Sequence, residues 1–167
     1  MSMFPTDTNR VSEGGASASN VPHAFGGQPD ADAVVQSAAG DRAARAARLR
    51  VLVVDDAPDV TEMIATMMRF AGYDVTTALS ATEALEAAVG SRFDVVVSDI
   101  GMPGMNGYQL AEALRGLPEY AAVPLVAVTG FTMYDDRERA RASGFNDFLT
   151  KPINPADLLD TVKRLCG

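Results

Sequence analysis

The chain has 167 residues, 47% of them hydrophobic, and a net charge of −8, which allows one domain with a full core plus an extension. The first 48 residues carry 4 basic and 5 acidic side chains and the remainder 10 and 17, so the acidity belongs to the larger part and argues against the basic footprint that nucleic acid binding needs. A single cysteine, Cys166, excludes an internal disulfide and fits a reducing cytoplasm, and the chain shows neither an apolar run of membrane-spanning length nor the layout of a signal peptide, so no membrane insertion is expected.

In chain order, residues 1 to about 30 are rich in Ser, Gly, Ala, Asn, Asp and Pro without hydrophobic period, and residues 1–48 are read as a disordered extension because they cannot bury enough surface to offset their ordering entropy. Within it, Arg42, Arg45 and Arg48 recur every three residues among alanines, which predicts a short solvated helix near 41–48, with a basic docking or dimerising segment as the alternative. The folded domain is expected over 49–167. Short apolar runs then alternate with amphipathic stretches. Strands are predicted at about 50–54, 74–78, 93–98, 124–129 and 145–150. Helices are predicted at about 58–71, 81–89, 107–116 and 133–142, with a fifth after Asn154, which caps it, and Pro155, which suits its first turn. The first helix should carry Val60, Ile64, Met67, Met68 and Ala71 on one face. The fifth should bury Leu158, Leu159, Val162 and Leu165. Ser80 and Glu83 have the spacing of a capping box, and Gly72, Gly90 and Gly144 stand where helices should stop. The fourth helix, with Asp135, Asp136, Arg137, Glu138, Arg139 and Arg141, offers little apolar face and should pack weakly. Five such β-α units imply an α/β fold: a parallel sheet covered on both faces, with right-handed crossovers.

Three aspartates stand at strand exits: Asp55 and Asp56 after the first strand, Asp99 after the third. The carboxyl ends of parallel strands are where sites form. Carboxylates roughly 4 Å apart repel by about 4 kcal/mol per pair at an effective dielectric near 20, so a cluster there calls for a cation, and Mg²⁺ is the hard, oxygen-seeking candidate. Thr129 ends the fourth strand and Lys151 follows the fifth. If these strands are neighbours, one edge gathers Asp99 as a nucleophile toward phosphorus, Asp55 and Asp56 as metal holders, and a hydroxyl and an ammonium for phosphoryl oxygens.

These motifs carry a resemblance. The Asp55-Asp56 pair, Ser98-Asp99-Ile100-Gly101-Met102-Pro103-Gly104-Met105-Asn106-Gly107, Val128-Thr129-Gly130 and Lys151-Pro152 resemble the receiver domain of two-component response regulators, over the 117 residues from Arg50 to Cys166. The resemblance implies a flavodoxin-like doubly wound (βα)5 fold with strand order 2-1-3-4-5. It implies Asp99 as phosphoacceptor, and Asp56, Asp99 and the backbone carbonyl of Gly101 as Mg²⁺ ligands. Asp55 would act through water. Thr129 and Lys151 would sense phosphate, Phe148 would be the switch aromatic, and Lys151-Pro152 would be a cis peptide. The chain departs from the common pattern at Gly101, at Phe131, and at Gly130, which replaces Ala and should leave room for Thr129 and Phe148 to move inward. Taken alone, an Asp-Asp pair is usually a turn or helix cap, Thr129 a strand-end hydroxyl, Lys151 a surface charge, and Phe148 core. Their joint register favours the site. The sole histidine, His23, lies in the extension and is not expected to donate phosphate.

The implied function is a phosphoacceptor switch. A histidine kinase or histidine phosphotransfer protein would phosphorylate Asp99, and the face made by the fourth helix, fifth strand and fifth helix would change its preference for a downstream protein. The output is binding, so the chain is not expected to be an enzyme beyond assisting its own phosphorylation and dephosphorylation. No output domain is expected after the fifth helix, which leaves a stand-alone receiver, a phosphorelay intermediate or the receiver of a hybrid histidine kinase. A phosphorylation-independent interaction module is the rival from another class. An aspartyl-phosphate hydrolase of the haloacid dehalogenase type would need an acid two residues after Asp99, where Gly101 stands.

Overall fold

The computed structural model describes residues 48–130 and 134–167. The expectations for residues 1–47, for Phe131 and for the first residue of the fourth helix lie outside the described residues. The chain forms β1 (Arg50–Val54), α1 (Pro58–Phe70), β2 (Asp74–Ala78), α2 (Ala81–Gly90), β3 (Val95–Asp99), α3 (Gly107–Arg115), β4 (Leu125–Thr129), α4 (Tyr134–Ser143), β5 (Asp147–Thr150) and α5 (Pro155–Cys166), with a 3₁₀ turn at Pro118–Tyr120. The sheet is parallel throughout, in the order β2-β1-β3-β4-β5, the arrangement that the family resemblance implies. Among the described residues no helix is long and apolar enough to cross a membrane.

The strand pattern divides the core in two. Val51, Val53, Val95, Val97, Val126 and Val128 point to one face, where Ile64 and Met68 of α1 and Leu158 and Val162 of α5 cover them. Leu52, Val54, Val96, Leu125 and Ala127 point to the other face, under Ala84 and Ala88 of α2, Leu110, Ala111 and Leu114 of α3, and Ala140 of α4. Successive strand residues alternate faces, and both faces are apolar because both are covered.

Some details differ from the expectation. In α1 the buried residues are Thr61, Ile64, Ala65 and Met68. Val60 and Met67 are half-buried and Ala71 is exposed, so the packed stripe is rotated toward Thr61. In α5 the buried residues are Leu158, Thr161 and Val162, with Leu159 and Leu165 half-buried. β3 begins at Val95, two residues later than expected, and β5 at Asp147. Gly72 and Gly144 take positive φ after their helices, as a left-handed stop requires, whereas Gly90 is the last residue of α2 without one. Ser80 accepts from the Glu83 amide, but the Glu83 carboxylate accepts from Leu79 N–H rather than from Ser80. The reciprocal capping box lies at Asn106 and Gln109, heading α3.

Away from the strand exits, one basic side chain ties several loops together. Arg115 closes α3 and donates to the carbonyls of Gly144 (3.1 and 2.6 Å), Tyr120 (2.7 Å), Ala121 (3.2 Å) and Val123 (2.8 Å), and to Asn146 Oδ1 (2.8 Å). It thereby joins the loop before β4 to the loop before β5, and burial lowers its pKa.

Candidate functional site

The order β1-β3-β4-β5 sets Asp55, Asp99, Thr129 and Lys151 at adjacent strand ends. Asp55 is the more fully held of the first pair. Its Oδ1 accepts from Ala57 N–H (2.9 Å), its Oδ2 from Lys151 Nζ (2.7 Å), and its carbonyl from the buried Thr61 hydroxyl (2.8 Å). Its side chain is 1% exposed, whereas Asp56, one residue on, faces solvent. The apolar β1 carries Asp55 into the interior, and the turn to α1 lifts Asp56 outward.

Asp99 ends β3 in register with Val128 of β4 and is buried. Its Oδ1 accepts from Ile100 N–H (2.9 Å), its carbonyl accepts from the Ser98 hydroxyl (2.8 Å), and Lys151 Nζ stands 3.6 Å from its Oδ2. Burial chiefly raises the Asp99 pKa. Lys151 opposes that rise, Asp55 adds to it, and the Ile100 and Gly101 amides oppose it. Burial works to lower the Lys151 pKa, but the Asp55 hydrogen bond and the charges of Asp99 and Asp55 prevail and raise it. One carboxylate oxygen from each of Asp55, Asp56 and Asp99 lies within 4.8 Å of the others. The set fits a hard divalent cation: three oxygen donors, one open to solvent, with a single ammonium to balance them.

The loop after Asp99 is folded tightly against the strand end. Met102 and Gly107 N–H both donate to the Ile100 carbonyl (3.0 and 2.9 Å), and Gly104 sits at φ 74°. A Cβ on Gly107 would stand 2.3 Å from the Asp99 carbonyl and 2.6 Å from Ile100 Cα, so glycine is required where α3 starts. Gly101 lies in this loop, exposed, two residues beyond Asp99.

Thr129 is fully buried at the end of β4, paired with Thr150, and its carbonyl accepts from Lys151 N–H (2.9 Å). The Lys151–Pro152 peptide is cis. Phe148 pairs with Ala127, is half-buried and packs against the α2–α3–α4 core. A Cβ on Gly130 would meet nothing within 4 Å, so the space there does not depend on the missing methyl. Lys151, expected at the phosphate, is here held by Asp55 and Asp99. Thr61 and Ser98, which fix the backbone at Asp55 and Asp99, were not singled out in the sequence. The signal for Thr61 was a hydroxyl inside an apolar helical stripe, one turn past the acidic pair.

A doubly wound parallel sheet with three carboxylates, a hydroxyl and a lysine at its carboxyl edge defines a site suited to a divalent metal and a phosphoryl group. Comparison with known proteins agrees. The response regulator receiver domain family matches residues 51–163, and the chain belongs to that family, the receiver domains of two-component signalling. It is 39% identical over 120 residues to an uncharacterised 14.6 kDa protein of Leptolyngbya boryana, covering 72% of this chain and 92% of that protein. The chemotaxis response regulator CheY4 of Vibrio cholerae superposes with a TM-score of 0.69 at 37% identity, covering 71% of this chain and 99% of that one. The receiver domain of the Pseudomonas aeruginosa sensor histidine kinase PA1611, whose structure has a magnesium ion coordinated in the active site cleft, superposes with a TM-score of 0.68 at 31% identity, covering 72% and 99%. The chain spans about half the length, 49%, of the Mycobacterium tuberculosis transcriptional regulatory protein PrrA, which it also matches at 38% identity over 70% of its own length.

Proposed function

We propose that this chain is a phosphoacceptor switch in which Asp99 takes a phosphoryl group from the phosphohistidine of a histidine kinase or phosphotransfer protein. The observation that carries this reading is the buried Asp99 carboxylate at the end of a central strand, with two carboxylates and one lysine gathered on it. An Asp99 oxygen attacks phosphorus, the P–N bond breaks, and the imidazole nitrogen leaves with the electron pair. Asp99 and Asp56, with Asp55 through water and the Gly101 carbonyl, would hold Mg²⁺, which when bound supplies positive charge against the equatorial phosphoryl oxygens. Lys151 is within reach of Asp99 and transfers its ammonium from carboxylate to phosphoryl oxygens. Thr129 offers its hydroxyl to the same group, and Phe148 turns inward behind it. The face of α4, β5 and α5 then changes its preference for a downstream protein, a population shift between two states. The output is binding rather than turnover, and catalysis is confined to the domain's own phosphorylation and dephosphorylation.

The test is incubation with a phosphorylated histidine kinase or with acetyl phosphate and Mg²⁺. Wild type should gain a base-labile phosphate and Asp99→Asn should gain none. Equal labelling of the two overturns Asp99 as the acceptor, and no labelling of wild type overturns the reading in favour of a phosphorylation-independent interaction module. A second reading, the receiver portion of a hybrid histidine kinase, is supported by the match to 13% of the Pseudomonas syringae sensor protein GacS. Phosphotransfer from a kinase domain fused ahead of the chain would separate it from a stand-alone relay component.

A further inference from the structure

α4 is poorly suited to its position by apolar packing alone. Its inward residues include only one apolar side chain among those described as buried, Ala140, with Ser143 beside it. A cavity of about 40 Å³ remains between it and β5, lined by Arg137, Ala140, Arg141, Phe145, Asp147 and Phe148. Aromatic contacts add to this packing. The Arg137 guanidinium lies 5.4 Å from the centre of the Phe148 ring on β5. The Arg139 guanidinium lies 4.3 Å from the centre of the Tyr108 ring at the head of α3. The buried Tyr108 hydroxyl donates to Asp136 Oδ1 at 3.4 Å. Three neighbouring residues of one helix therefore grip two aromatic rings on two different elements.

We propose that Arg137 and Arg139 are positioning residues that clasp α4 to Phe148 and Tyr108 in the phosphate-free state, and so set how much of the switched state exists before phosphorylation. The proposal rests on the reading of Phe148 as the moving aromatic. An inward turn of Phe148 withdraws its ring from Arg137. Displacement of α4 withdraws Arg139 from Tyr108 and Asp136 from the phenol. Because both arginines ride on the same helical turn, release of one loosens the other. Each cation–ring contact at a partly exposed site shifts such an equilibrium about two- to five-fold. The clasp is therefore strong enough to bias the switch and weak enough for an aspartyl phosphate to overcome.

The experiment compares wild type with Arg137→Gln, Arg137→Lys, Arg139→Gln and Arg141→Gln in the full chain. Arg141 serves as the charge control on the same helix, since it stands over no ring among the described residues. Beryllium trifluoride with Mg²⁺ is the probe that mimics the phosphoryl group. Arg137→Gln is expected to move the amide resonances of Thr129 and Phe148 in the free protein toward their beryllofluoride-bound positions, and to tighten beryllofluoride binding about two- to five-fold. Arg139→Gln should act in the same direction. Arg137→Lys should retain most of the wild-type behaviour, and Arg141→Gln should change neither readout. An Arg137→Gln variant that shifts no further than Arg141→Gln overturns the proposal. If wild type itself fails to bind beryllofluoride, the phosphoacceptor reading fails, and the clasp is judged on hydrogen exchange. Arg137→Gln and Arg139→Gln must then speed exchange of the α4 amides relative to Arg141→Gln, and unchanged exchange overturns the clasp independently.

Discussion

Replacing Asp99 by Asn is expected to stabilise the metal-free protein while removing the proposed phosphoacceptor. The carboxylate oxygens of Asp55 and Asp56 lie within 4.8 Å of that of Asp99, so each repels it by at least about 3.5 kcal/mol at an effective dielectric near 20. Lys151, 3.6 Å away, attracts it by about 4.6 kcal/mol on the same scale. Asp56 is exposed, so its share is the more screened. Burial is the largest influence and disfavours an ionised Asp99; Lys151 opposes it more strongly than Asp55 supports it. The Ile100 hydrogen bond survives, because an Asn oxygen accepts it equally. After screening, the gain should be about 1–2 kcal/mol, which raises Tm by roughly 3–10 °C for a domain of this size. Urea unfolding in EDTA measures it. Repeating the titration in Mg²⁺ should reverse the order: wild type gains about 2.7 kcal/mol at one hundred times Kd, and the variant, lacking a ligand, gains little. A less stable Asp99→Asn protein in EDTA, or equal Mg²⁺ stabilisation of both proteins, would refute the electrostatic account.

Three further outcomes follow from the geometry. Arg115→Ala should cost about 3 kcal/mol, because it strips the carbonyls of Gly144, Ala121 and Val123 of their donor; a thermal melt unchanged within a degree or two would contradict this. Gly107→Ala should destabilise by about 2 kcal/mol or more and weaken Mg²⁺ binding, since its methyl collides with the Asp99 backbone; calorimetric titration checks both. Asp99 holds its proton to a higher pH in the fold than in the unfolded chain, chiefly through burial. Its contribution to stability is thus fully present below the ordinary aspartate range and lost as pH rises through the raised value. Mg²⁺ needs the ionised form, so its affinity should fall on acidification earlier than at a solvent-exposed aspartate pair, and a fall no earlier than at such a pair would contradict the assignment.

The strands were legible because four of them lead into a polar residue, Asp55, Asp99, Thr129 or Lys151; β2 runs instead into Leu79, and the strand order came from the family resemblance and not from the pattern. The acidic trio was legible for the same reason. What the pattern did not carry was the inequality within it. Nothing local distinguishes Asp55 from Asp56; one becomes buried and lysine-paired and the other exposed only through the turn into α1 and the arrival of Lys151 from 96 positions away. Thr61 was missed because a hydroxyl in an apolar stripe reads as a packing imperfection until the Asp55 carbonyl is placed beside it. The aromatic attachments of α4 escaped for a related reason. A helix of arginines and acids reads as solvated, and its partners Tyr108 and Phe148 lie on other elements. The low apolar content of α4 was visible in the sequence, and its means of attachment was not.

Arg115 has a consequence of another kind. Every partner it holds is an uncharged oxygen, so no acid has to stay ionised for the bolt to remain shut. Protons and divalent ions that reset the charge at the carboxyl edge of the sheet find nothing to titrate among these contacts. The loops leading into β4 and β5 are in this sense insulated from the solution variables that govern Asp99. The strands that lead to Thr129 and Lys151 are thus tied at their far ends by contacts that a change of charge at the site leaves untouched.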